Sequence, residues 1–120
     1  MSPSGDSPAS LSRHLALLTP ELAGRTQSAH ELAFLLDDAE LAVRQFVAAG
    51  QRVTAWDCWV RFNSGARARS LAHSGSFALP LDVGRAGEAV IKGMRREQEK
   101  WDRSPEHPEA TLYFTIELAD

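Results

Sequence analysis

Two segments of this chain alternate apolar and polar residues with a period of two. In the first, Trp56, Cys58, Val60 and Phe62 fall on one side, and Asp57, Trp59 and Arg61 on the other. In the second, Leu112, Phe114, Ile116 and Leu118 alternate with Thr111, Tyr113, Thr115 and Glu117. Successive strand side chains point to opposite faces, so this pattern demands a sheet with one face packed and one looking outward. That outcome needs further strands and a covering layer, because isolated strands do not hold together in water. The 120 residues and 43% apolar content are enough for one such domain. No run approaches the roughly 18 uninterrupted apolar residues of a membrane span.

The turn after Phe62 sets which side chains share a face. Asn63-Ser64-Gly65 is a turn signal. A two-residue loop at Ser64-Gly65 would set Phe62 opposite Arg67 and mix the faces, since a one-residue slip exchanges them. A three-residue loop sets Phe62 opposite Ala66, Val60 opposite Ala68 and Cys58 opposite Ser70, with Gly65 in the left-handed position. Large residues then meet small ones on the inner face. The outer face receives Trp59 opposite Arg69 and Arg61 opposite Arg67, with His73 near Ala55. This is the register the sequence predicts.

Helical spacing supplies the covering layer. A short helix is predicted from Ser10 to Leu18, and Thr19-Pro20-Glu21 has the cap-then-proline form of a further turn. Ser28 with Glu31 fits a capping box. Leu32, Leu35, Leu36, Ala39, Val43, Phe46 and Val47 then recur at helical spacing up to Gly50, a helix of roughly five turns. Phe77, Leu79 and Leu81 suggest a short strand with Pro80 at an edge. Asp82 caps a second long helix, with Val83, Ala86, Val90, Met94 and Trp101 facing the core. The expected fold is α+β, in the order α(α)βββαβ. A mainly antiparallel sheet of about four strands carries two long helices on one face. Residues 1–9 read as a disordered tail and 10–120 as a single domain.

Charge narrows the function classes. The net charge is −3, but residues 58–103 hold 9 basic and 5 acidic side chains, and no acid lies between Asp57 and Asp82. A mildly acidic chain is a poor general binder of nucleic acid or anionic membrane. Met1–Ser10 has neither the basic start nor the apolar core of a secretory signal. With a single Cys, this predicts a reducing, cytoplasmic compartment. His14, His30, His73 and His107 form no ligand pair on one helical turn, so no metal site is expected. Cys58 belongs to the inner face, where a thiol is a small hydrophobe, and no Ser occupies a strand–turn–helix elbow. No catalytic constellation is therefore read from these residues, no cofactor is expected, and a non-enzyme is the leading expectation.

Gly84, Arg85 and Gly87 open the second long helix, where free N–H groups and glycines let a phosphate approach. Gly84-x-x-Gly87 followed by Val90 and Met94 resembles the loop of KH RNA-binding domains. The strand–helix join, in a helix–three-strand–helix–strand order, also resembles the coenzyme A-binding core of GNAT acetyltransferases. Those resemblances imply, in turn, single-stranded nucleic-acid binding and an enzyme holding a phosphorylated cofactor.

The outer sheet face gives the leading reading. Trp59, Arg61, Arg67, Arg69 and Tyr113 interleave arginine with aromatics, the residue types that dominate interface hot spots. This predicts a non-catalytic protein-binding module (a small accessory, chaperone or inhibitor protein) with an acidic partner. Self-association through the C-terminal strand is a further expectation, if Leu112–Leu118 presents an edge. Single-stranded nucleic acid would use the same arginines, with bases stacked on Trp59.

Overall fold

A computed structural model describes residues 8–28, 30–74, 82–103 and 110–119. Within them the chain is α+β. Helices α1 (Pro8–Leu15) and α2 (Pro20–Ala23) precede strand β1 (Leu32–Phe34) and helix α3 (Leu36–Ala48). Strands β2 (Val53–Phe62) and β3 (Arg67–Ser74), helix α4 (Val83–Arg103) and strand β4 (Ala110–Leu118) complete the order. The four strands form one antiparallel sheet, β1-β4-β2-β3. The third strand predicted over Phe77–Leu81 lies outside the described residues.

The period-two segments pack as their pattern requires. Trp56, Cys58 and Val60 pair with Ile116, Phe114 and Leu112 of β4, and all six are buried. Helices α3 and α4 cover this face with Ala39, Ala42, Val43, Phe46, Ala86, Val90, Met94 and Trp101. Two glycines let the layers close. A Cβ on Gly87 would stand 2.5 Å from Val47 of α3, and one on Gly93 would stand 2.5 Å from the Trp56 ring. The Trp56 ring in turn meets Phe114 with centroids 6.2 Å apart. Arg95 grips Glu40 with Nε and Nη2 at 2.7 and 2.6 Å, tying the two helices together at their exposed edge.

Four expectations are corrected. The helix predicted from the Ser28–Glu31 box begins only at Leu36. Leu32, Ala33 and Phe34 form β1 instead, with Leu32 opposite Ile116 and Phe34 opposite Phe114. The reason is tertiary: an apolar β4 has a second edge to fill, and Leu32 and Phe34 fill it. Thr26 holds the approach to this strand. Its Oγ1 accepts from the Ala33 N–H at 3.2 Å and lies within donating reach of the Ser28, Glu31 and Ala33 carbonyls. Leu35, expected on the packed helix face, is consequently 39% exposed.

The second correction concerns β4. It is an interior strand with β1 on one side and β2 on the other, so its edge cannot serve self-association. The third concerns the hairpin. Phe62 N–H donates to Ala66 O at 2.8 Å, Gly65 has φ 93°, and Val60 stands opposite Ala68. This is the three-residue loop. Further along, however, Trp59 faces Arg69 while Asp57 faces Ser74, so the ladder bulges. The expected Cys58–Ser70 rung is lost there, and Ser74 already stands opposite Asp57, so His73 does not come opposite Ala55. At the N-terminus, α1 starts at Pro8, inside the stretch expected to be a disordered tail.

Candidate functional site

The outward face of the β2–β3 hairpin brings most of the predicted binding residues together. Strand parity places Trp59 and Arg61 opposite to the buried Cys58 and Val60. The loop register then sets Arg61 directly across from Arg67 and Trp59 across from Arg69. On its other side Trp59 pairs with Tyr113, and Arg61 with Thr111. Trp59, Arg61, Arg67, Arg69 and Tyr113 thus occupy two adjacent rungs over three strands.

These residues differ in availability. Arg67 is exposed and Arg61 half-buried. Tyr113 is only 1% exposed, so it is covered on this face and does not present itself to a partner. The Trp59 indole is half-buried, and its Nε1–H donates to Thr115 Oγ1 at 3.2 Å. That bond lays the ring along β4 and helps explain why Thr115, on an outward position, is 7% exposed. For Arg69 only the register position is described.

Electrostatics makes the Arg61–Arg67 rung unusual. Like charges directly opposite on one face of an antiparallel pair repel. Among the described residues neither guanidinium has an ion pair or a side-chain hydrogen bond, whereas Arg25, Arg95 and Arg103 each reach a carboxylate within 4 Å. The rung is therefore a concentrated cationic spot with an aromatic neighbour.

The hairpin end has a second property that periodicity alone did not reveal. Phe62, Ala66 and Ala68 belong to the helix-side face, yet Phe62 is 43% exposed and both alanines are exposed. The helical layer stops short of the turn. One side of this end is thus basic and the other apolar.

The other candidates are placed differently. At the start of α4, the Asp82 Oδ2 accepts from the Arg85 N–H at 2.9 Å, so a carboxylate already sits at the helix start. Gly87 is buried against Val43 and Val47, where it serves helix packing, while Gly84 and Arg85 are exposed. The three residues do not share one concave surface. Cys58 is fully buried, and burial, Glu97 and Asp57 together push its thiol pKa well above the ordinary range. It cannot act as a thiolate nucleophile near neutrality. Among the described residues no group of His, Cys, Asp and Glu could hold a metal ion, and no helix is long and apolar enough to cross a membrane.

A shallow groove lies where the start of α3 meets the end of α4. It measures about 430 Å³ and is lined by Leu35, Leu36, Asp37, Asp38, Gln98 and Asp102. Arg25 reaches Asp38 at 3.1 Å, and Gln98 Nε2 donates to Asp102 Oδ1 at 3.0 Å. Helical spacing hides this site, because it assigns Leu35 and Leu36 to the packed face. No family model, no curated protein and no solved structure matches this chain.

Proposed function

We propose that this protein is a non-catalytic protein-binding module whose working surface is the outward face of the β2–β3 hairpin. Arg61 and Arg67 supply the charge, Trp59 the rigid apolar support, and the partner presents carboxylates. The observation that carries this reading is the Arg61–Arg67 rung. Two opposed guanidiniums without a carboxylate among the described residues gain most when an anionic group comes between them. Nucleic acid is the weaker match. The chain's net charge is −3, and the Trp59 ring on which a base would stack is half-buried.

Titration with a polyglutamate peptide and, separately, with oligo-dT at low salt tests the proposal. Polyglutamate binding that Arg61→Glu/Arg67→Glu removes is the expected result. Tighter binding of oligo-dT than of polyglutamate would move the function to single-stranded nucleic acid. Binding of neither would end the proposal.

A further inference from the structure

The hairpin end and the groove are complementary in both charge and polarity. The hairpin end offers Phe62 on one side and Arg61 with Arg67 on the other. The groove offers Leu35 and Leu36 with a rim of Asp37, Asp38 and Asp102. We infer that the groove receives the hairpin end of a second copy of this chain, with Phe62 against Leu35 and Leu36 and the arginine rung against Asp37 and Asp102. This rests on the reading of the arginine hairpin as a binding face, and it names one partner for that face.

Asp38 is already held by Arg25, so Asp37 and Asp102 are the acids left for an incoming cation. Both are exposed. Gln98 orients the Asp102 carboxylate. Leu35 is 39% and Phe62 43% exposed, and each buries apolar surface only if a partner covers it.

Topology decides what kind of assembly follows. Strands β1 and β2 both run antiparallel to β4, so they run in the same direction. Phe34, the last residue of β1, and Cys58, four residues before the end of β2, are both opposite Phe114. The groove that opens at Leu35 and the turn that follows Phe62 therefore lie on the same side of the Phe114 rung, the turn four residues further along β2. With both halves of a contact on one side of that rung, two copies related by a two-fold axis can each insert a hairpin into the other's groove. The interface then closes as a dimer; donor and acceptor surfaces at opposite ends would have extended into a filament.

Sedimentation of the full chain at concentrations up to about 0.1 mM reads the association directly, because a micromolar dissociation constant populates dimer in that range. Dimer that grows with concentration is expected. Arg61→Glu/Arg67→Glu and Asp37→Arg/Asp102→Arg should each weaken association by more than about tenfold. Mixing these two variants should restore a heterodimer, since each glutamate hairpin then meets an arginine-lined groove and each native hairpin a native groove. Recovery on mixing also shows that both variants are folded. A wild-type chain that stays monomeric throughout overturns the inference, whether or not it binds polyglutamate. Dimer that survives both charge reversals also overturns it. Loss of polyglutamate binding in Arg61→Glu/Arg67→Glu tests the binding face separately, so the two failures are distinguishable.

Discussion

Gly87 and Gly93 show how much a single missing methyl decides in this molecule. Both lie inside α4, where glycine is a poorer helix former than alanine by about 1 kcal/mol. Gly93 is nonetheless required, because a Cβ would stand 2.5 Å from a carbon of the Trp56 ring. The rigid indole cannot bend away as a flexible side chain can. Gly93→Ala is expected to lower stability by roughly 1–2 kcal/mol, overpacking outweighing the helix gain. Gly84→Ala meets only the Asp82 carboxylate at 3.5 Å, so it should be neutral or slightly stabilising. Urea unfolding of the two variants checks the contrast. Cys58 gives a second prediction at this scale. Burial first, then Glu97 and Asp57, raise its pKa above that of an unfolded thiol. The unfolded chain therefore loses the thiol proton first. The stabilisation is fully present below about pH 8.5 and is lost as pH rises further, at about 1 kcal/mol per pH unit. Denaturation between pH 8 and 10, compared with Cys58→Ala, should show a shallower alkaline decline in the variant.

Elements are legible in the sequence in proportion to how long their period is sustained. The alternation in β2 and β4 runs for seven or more residues and separates the two faces from Trp56 to Val60, whereas in β4 the outward Tyr113 and Thr115 are buried as well. The α4 stripe of Ala86, Val90, Met94 and Trp101 is likewise visible and buried. β1 is only three residues long, and Leu32 also fits the spacing of a helix that continues through Leu36 and Ala39. Local signal cannot separate those alternatives; the open edge of β4 does. Thr26 is the side chain that secures the strand. Thr26→Val keeps the shape but leaves the Ala33 N–H, on a residue with no exposed surface, without its Oγ1 acceptor. A loss of about 1–3 kcal/mol is expected, read by thermal or urea unfolding, with fast amide exchange at Ala33 as the local signature. The bulge between Asp57 and Trp59 was equally invisible, since inserting residues into one strand leaves no mark on the alternation of the other.

On the scale of the whole molecule, charge is segregated by the fold as well as by the sequence. The basic hairpin and the acid-rimmed groove come from segments separated by the length of α3 and β2, yet they lie on the same side of the Phe114 rung. Attraction between exposed charges is screened beyond about 8 Å at physiological ionic strength. Binding of polyglutamate by the wild-type chain should accordingly weaken as sodium chloride is raised from low to about 0.5 M. A salt-independent affinity, measured by calorimetry, would point to the Trp59 surface and not the arginines as its source.

The sequence alone determined the class of fold, the inner and outer faces of the long strands and the register of the hairpin turn. Each of these follows from periodicity and turn chemistry, which act over a few neighbouring residues. Only the tertiary structure decided that β4 is interior, that Leu32–Phe34 is a strand, that Tyr113 is buried, and that Phe62 and Leu35 are exposed. Those outcomes depend on which distant segment competes for an edge or covers a face, and contacts between distant segments leave no period in the chain.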